Sequence, residues 1–255
     1  MSGIGLVVAL PHELPRGFVR GHDHHQRAAS PPFPVYRCKT ALGRLTAVQT
    51  GIGQRRAARG ARWLAQRCSP CALVSFGFAG GLYPQLTRGT LVIATALVAG
   101  HSSTPLDKAH RHLIDQFQTA AEAEGLKVQQ GPIVSTERIV ADAASKAALW
   151  RQSGACAVDM ETAGVVQVAR EVGLPWGTLR AIVDCASDPL PAEYGAALRD
   201  DGRVAVGGLL RMLCRSPSLI GPLFTLAAGT TMARRHLSRV LTRWAANPTP
   251  QAPLV

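Results

Sequence analysis

Two hydrophobic rhythms alternate along this chain. Short, nearly continuous apolar runs occupy residues 4–10, 45–48, 72–76, 89–94, 133–136 and 178–183. Runs of that length and continuity suit strands buried on both faces. Between them, residues 55–66, 106–124 and 141–150 carry apolar positions at helical spacing, as does the run with Val165, Val166, Val168 and Ala169 on one side and Arg170 and Glu171 on the other. Gly125 closes the second of these segments, and Gly173 with Pro175 closes the last, the order expected beyond a final helical turn. Strand and helix in alternation predict one α/β domain with a largely parallel sheet. No internal repeat interrupts the pattern, and no apolar run reaches the roughly 18 residues of a spanning helix.

Two regions break the rhythm. Residues 15–34 collect Pro, Gly, Arg and the cluster His22, His24 and His25; only Asp23 accompanies these imidazoles, so a solvated loop is expected there and a metal site is not. After Asp188 the apolar runs at 208–213 and 219–228 are flanked or interrupted by Arg, Gly and Pro. Residues 232–244 then place Leu237, Val240, Leu241 and Trp244 on one helical face and Arg235, Arg239 and Arg243 on the other. The chain carries a net charge of +12, and residues 199–243 hold eight Arg against two Asp, half of that excess. Such a field suits nucleic acid, anionic lipid or a phosphorylated substrate; a general Arg bias gives the same total. A helix with these two faces can lie in an anionic leaflet or pack on a core. Residues 246–255, with three Pro, are expected to be disordered.

Six scattered cysteines and an apolar strand directly after Met1 fit a reducing, cytoplasmic setting. Cys68 and Cys71 have C-x-x-C spacing, but they precede a strand and lack a second pair, so a structural role is expected. Gly51-Ile52-Gly53 follows a strand, yet Arg56 stands where a dinucleotide fingerprint requires Gly.

The informative chemistry lies between Ala157 and Asp188. Asp159-Met160-Glu161 precedes a helix, and Asp184 ends the strand that follows it. Carboxylates at the carboxyl ends of strands are where α/β sheets meet ligands; a helix cap or a surface ion pair is the alternative for each. The run V-D-M-E-T-A-x-V-x-Q-V-A with R-A-I-x-D, the stretch Ser75-Phe76-Gly77-Phe78-Ala79-Gly80-Gly81-Leu82, the first strand leading to Glu13, and Gly51-Ile52-Gly53 occur in an order that resembles the nucleoside phosphorylase and methylthioadenosine/S-adenosylhomocysteine nucleosidase superfamily. The resemblance covers about the first 190 residues.

That resemblance implies a three-layer α/β/α fold with a mostly parallel, mixed central sheet, cleavage of a purine N-glycosidic bond, and neither metal nor organic cofactor. It casts Asp184 as the acid at purine N7, Glu13 as the base that activates water, and Glu161 as the acceptor for ribose hydroxyls, with Met160 packed on the sugar. Ile52, Phe78, Ala79, Gly80 and Val140 fall in its substrate-contacting segments; near Ile139 and Val140 the family's aromatic residue is missing. The phosphate-holding Arg and Ser of its phosphorylases correspond to Ser75 and Phe78. Phe78 cannot bind phosphate, which favours water and an apolar substrate. The stretch Arg215-Ser216-Pro217-Ser218-Leu219-Ile220 with its basic helix is similar to the hopanoid-associated branch. That similarity implies adenosylhopane as substrate and a peripheral position on the inner membrane face. A homodimer is expected from the family's habit of building sites near subunit contacts. Residues 1–245 are then one catalytic domain, with 199–245 a basic extension. The rivals are phosphorolysis and a catalytically silent nucleoside- or nucleic-acid-binding protein, of which nucleic acid is the less favoured partner.

Overall fold

The computed structural model describes residues 3–15, 18–20, 33–41, 43–188 and 220–246. In chain order its elements are β1 (Ile4–Val8), a 3-10 turn (Pro11–Glu13), β2 (Val19–Arg20), β3 (Val35–Thr40), β4 (Gly43–Gln49), α1 (Gln54–Cys68), β5 (Ala72–Gly81), β6 (Leu91–Val98), β7 (Pro105–Lys108), α2 (Arg111–Ala123), β8 (Val128–Ser135), α3 (Ala143–Ser153), β9 (Ala157–Asp159), α4 (Thr162–Val172), β10 (Trp176–Asp184) and α5 (Ile220–Ala246). His22, His24 and His25, residues 199–219 and the tail from 247 onward lie outside the described residues.

The apolar runs become the strands of one mixed sheet, with three departures from the sequence rhythm. First, the 106–124 segment is not one helix: residues 105–108 pair antiparallel with β6, and α2 begins only at Arg111. Pro105 has no N–H to give a helix, and the ladder of β6 supplies an alternative for this stretch. Second, residues 35–40 form β3, a half-buried arm of a hairpin with β4 whose polar alternation hides it, and β2 pairs with β3 inside the segment read as loop. Third, the 72–76 run does not end at Phe76: β5 continues through Gly77, Gly80 and Gly81.

β5 is the axis of the sheet. On one edge it pairs parallel with β10 from Leu73 to Gly80. On the other it pairs parallel with β1 only as far as Ser75, and antiparallel with β9 only at Gly80 and Gly81. β9 continues through β8 and β6 back to β10, so β5, β10, β6, β8 and β9 close on themselves while β1, β4, β3 and β2 extend outward. Between the end of β1 and the start of β9, the β5 edge at residues 76–79 has no strand partner among the described residues.

Side chains alternate across this sheet into two cores. Leu6, Leu45, Phe76, Leu179 and Ala181 face α2 and α5, and Val7, Val48, Leu73 and Ile182 face α1 and α4. The helix α5 decides a point the sequence leaves open. Leu237, Val240, Leu241 and Trp244, which could have met a leaflet, are 0%, 0%, 0% and 2% exposed against the core. Arg239 and Arg243 pair with Glu124 beside the end of α2, each at 2.9 Å. The apolar half of the membrane-lying argument is thus used up inside the fold. Among the described residues no helix is long and apolar enough to cross a membrane.

Trp244 locks α5 in place: its ring centroid lies 4.8 Å from that of Phe117, and its indole N–H donates to Gln116 Oε1 at 3.0 Å. Lost packing and an orphaned amide predict that Trp244→Ala lowers stability by about 3–5 kcal/mol, read as a drop in denaturant midpoint at unchanged m.

Candidate active site

The unpaired stretch of the β5 edge is filled by a carboxylate. The apolar run of β1 ends at Val8, and Pro11 opens a tight turn that carries Glu13 back onto the strand end. Glu13 Oε2 accepts the N–H groups of Ala9 and Leu10, both at 2.8 Å, and Oε1 accepts the N–H of Phe78 at 3.1 Å. Glu13 is 2% exposed. Burial pushes its pKa up to about 7, against the opposing pull of the Leu10 N–H and the Arg180 charge.

Arg180 enters from β10, directly across from Gly77 in the register. Its guanidinium is 1% exposed, and Nη2 lies 2.6 Å from Ser75 Oγ, 2.6 Å from Asp159 Oδ2, 3.2 Å from Thr162 Oγ1 and 3.6 Å from Glu161 Oε2. Burial opposes the charge, but Asp159, Glu161 and Glu13 outweigh it and raise its pKa. Gly77 makes this convergence possible. A Cβ there would sit 2.3 Å from Glu13 Oε1 and 2.8 Å from Arg180 Nη1.

β9 delivers the remaining acids. Asp159 Oδ1 accepts the Ser135 hydroxyl at 2.5 Å and the amides of Glu161 and Thr162 at 3.3 Å, which fixes the start of α4. Glu161, 6% exposed, accepts the Gly53 N–H at 3.0 Å through Oε1. Gly53 stands before α1 at φ +113°, a conformation that favours glycine, and this aims its amide at the carboxylate. Burial raises the pKa of Glu161; Arg180 opposes that and Asp159 adds to it.

The second station lies farther along β5. At Gly80 the β10 register shifts, which brings Asp184 alongside: a Cβ on Gly80 would lie 3.2 Å from Asp184 Oδ2 and 3.3 Å from Val158 of β9. Asp184 is 5% exposed. Burial raises its pKa, with Lys146 the chief opposing influence. The Lys146 ammonium, 0% exposed, is ion-paired to Asp184 Oδ2 and donates to the carbonyls of Cys185 at 2.8 Å and Asp188 at 3.2 Å.

The sequence-derived carboxylates Glu13, Glu161 and Asp184 therefore gather around residues 77–80 of β5. Glu13 meets Phe78 and Gly77, Asp184 meets Gly80, and Glu161 reaches Arg180, which faces Gly77. Ala79 is buried, while Ile52, Phe78, Gly80 and Met160 are half-buried. The Phe78 ring lies 5.5 Å from His12. Val140, also half-buried, packs with Leu82 and Val158. Sequence reasoning missed Arg180, Asp159 as its partner, and Lys146. For Arg180 a signal existed, since a charge inside an otherwise apolar strand must be met where it is buried. Nothing in the helical pattern of α3 marks Lys146.

Removing the guanidinium leaves Glu13, Asp159 and Glu161 without their shared cation. Arg180→Met is expected to lose about 3–5 kcal/mol near neutral pH. Its absence raises the folded-state pKa of Glu13 and Glu161 further above their unfolded values, so the folded variant binds more protons than the unfolded chain. Folded wild-type Glu13 already takes up its proton near 7, so the deficit against the wild type should shrink as pH falls toward about 7 from the alkaline side, measured by urea unfolding across that window.

Comparison with known proteins places this arrangement. The 5'-methylthioadenosine/S-adenosylhomocysteine nucleosidase of Geobacillus thermodenitrificans is 28% identical over 197 residues, 69% of this chain and 84% of the relative. That of Halalkalibacterium halodurans is 31% identical over 163 residues, 58% and 70% of the two chains. Among solved structures, the Neisseria meningitidis nucleosidase in complex with methylthio-immucillin-A has a TM-score of 0.70 at 20% identity and covers 96% of this chain and 98% of its own. The futalosine hydrolase of Helicobacter pylori has a TM-score of 0.67 at 16% identity, over 94% and 97%. These structures share the fold, a mixed sheet between helical layers. A family model, the phosphorylase superfamily, matches residues 3–213. With that match over most of its length, the chain belongs to the phosphorylase superfamily.

Proposed function

We propose that this protein hydrolyses the N-glycosidic bond of an adenine nucleoside and releases adenine. The observation that carries the reading is the pair of buried carboxyls with raised pKa values on either side of residues 77–80 of β5, Glu13 beside Arg180 and Asp184 beside Lys146. A purine is a poor leaving anion, so its departure calls for an acid, and the sugar left behind is oxocarbenium-like and calls for nearby negative charge.

In this reading Asp184 gives its proton to N7 while the C1′–N9 electron pair leaves with the base. Glu161 accepts hydrogen bonds from the ribose hydroxyls, and Met160 packs on the ring. Glu13 takes a proton from a water whose oxygen bonds to C1′. This role for Glu13 is supported by the convergence of its Oε1 and Arg180 Nη1 beneath Gly77. Ile52, Phe78, Ala79, Gly80 and Val140 would contact the rest of the nucleoside. The 28% identical nucleosidase supports the substrate class.

Water is favoured over phosphate for an electrostatic reason. Arg180, the cation at the nucleophile side, is already surrounded by Glu13, Asp159 and Glu161, and Ser75 Oγ is already engaged by Arg180 and Thr162. A phosphate dianion there would face three carboxyl groups. Adenosylhopane, an adenine nucleoside with a large apolar 5′ substituent, is the substrate this reading favours. Its support is the Arg215-Ser216-Pro217-Ser218-Leu219-Ile220 motif and the apolar side chains of Phe78 and Val140.

The test is incubation with adenosylhopane, methylthioadenosine and inosine in turn, with and without phosphate. Free adenine and a free sugar, at a rate indifferent to phosphate, are expected from the first two. A sugar 1-phosphate would establish phosphorolysis instead, and an Asp184→Asn variant as active as the wild type would remove the chemistry altogether.

A pH profile checks the base separately. Glu13 must be ionised to take a proton from water, so kcat/KM should fall as pH drops through about 7. Glu13→Gln should lose at least ~100-fold in rate together with that acidic limb.

A further inference from the structure

A lysine is rarely withdrawn from water unless its charge is fully met. Lys146 is 0% exposed, and its ammonium has three acceptors for three N–H bonds: Asp184 Oδ2, the Cys185 carbonyl at 2.8 Å and the Asp188 carbonyl at 3.2 Å. Its height on α3 is set by a cap. Asp142 accepts the Ser145 N–H at 2.7 Å through its side chain and the Lys146 N–H at 3.1 Å through its carbonyl. The helix thus begins where its first turn can send Lys146 inward to the end of β10. Two of the three ammonium contacts are backbone carbonyls beyond Asp184, so the cation is anchored whether or not the carboxyl stays with it.

The reaction proposed above leaves a charge at this place. An acid that surrenders its proton inside a 5% exposed site becomes a carboxylate with little water to solvate it. We propose that Lys146 is the positioning residue of the base-protonating acid: it holds Asp184 by Oδ2, leaves Oδ1 for the purine, and balances the negative charge that Asp184 acquires as the base departs. This inference rests on the hydrolytic reading. The step balances without a further reactant: the Oδ1–H bond breaks, an N7–H bond forms, the C1′–N9 pair leaves with the base, and Lys146 keeps its three protons. The stabilisation grows as the charge develops, so it lowers the barrier more than it strengthens ground-state binding.

The other ionisable groups at this end of β10 do not take over the role. Asp188 pairs with Arg88 at 2.6 Å and accepts the Cys185 N–H at 2.6 Å, so these two charges largely offset one another. The Cys185 thiol is pushed up by burial and by Asp188. On α5, His236 is engaged by the Gly89 carbonyl at 2.7 Å.

The experiment uses the full chain, with methylthioadenosine as probe, in wild type, Lys146→Met and Lys146→Arg. Lys146→Met is expected to lower kcat about 10- to 100-fold with KM changed less than about threefold. Its alkaline limb, where Asp184 loses its proton, should move to higher pH, because the removed cation favoured the carboxylate. Lys146→Arg should recover part of kcat and return the limb toward the wild type. A rate loss with an unmoved limb would reduce Lys146 to a structural role and overturn the proposal, as would wild-type kinetics. A second readout needs no turnover: carbon-13 titration of the Asp184 carboxyl in the free protein should give a higher midpoint in Lys146→Met, and an unchanged midpoint sinks the inference. Should that variant fail to fold, Lys146→Gln carries the same two expectations. If the wild type releases no adenine yet the carboxyl midpoint moves, the substrate reading falls and the Lys146–Asp184 coupling stands.

Discussion

A guanidinium in the middle of a buried strand has to be neutralised where it stands, and around Arg180 that requirement gathers four separate pieces of chain. Desolvating one cation costs several kcal/mol, and the cost is recovered only if partners are held at hydrogen-bond distance in good geometry. Ser75 on β5, Asp159 at the end of β9 and Thr162 at the start of α4 supply them, and Glu13 after β1 adds its charge. The consequence runs both ways. Arg180 is kept charged by its acids, and Glu13 and Glu161 are held below the pKa that burial alone would give them. Glu13 near 7 is the product of that opposition. A group at that value can accept a proton at neutral pH and still be basic enough to want one.

The place where this happens follows from unequal strand lengths. β5 has ten residues and β1 has five, so β5 outruns its neighbour and exposes part of an edge inside the molecule. Buried backbone donors must find acceptors. Farther along, β9 serves Gly80 and Gly81; in between, the Glu13 carboxylate serves Phe78. The gap in the ladder is therefore also the seat of a functional group. Asp184 reaches the far side of the same segment through the register shift opposite Gly80. Two carboxyls of similar intrinsic acidity are thus given different company: backbone amides and a shared guanidinium for one, a single ammonium for the other. Environments that differ in this way separate a base from an acid on one scaffold.

The C-terminal helix illustrates how a sequence feature can change meaning when its neighbours are known. Its Leu and Trp face closes the core behind β10, and two of the arginines that looked free for anionic lipid are tied to Glu124. Pairs this exposed contribute little stability by themselves. Their effect is to reduce the positive field that this face of the helix presents. The helix is better described as the outer wall of the core it shares with α2 than as an appendage.

The sequence by itself determined the class of fold and most of its strands, because apolar periodicity is a local property that survives translation into any packing of the chain; the carboxylates Glu13, Glu161 and Asp184 were singled out by the family resemblance of the motifs that hold them. It marked the Gly-rich stretch 77–81 but ended the strand before it at residue 76, since glycines interrupt an apolar run even where the strand continues through them. It passed over β3 and β7, whose strand character comes from neighbouring ladders more than from their own residues. Only the tertiary structure decided that Arg180 is the shared counter-ion and that Lys146 stands behind Asp184. Those pairings join residues 19 to 167 positions apart in the chain, and charge neutralisation over such separations depends on which strand lies beside which, a fact that no local pattern contains.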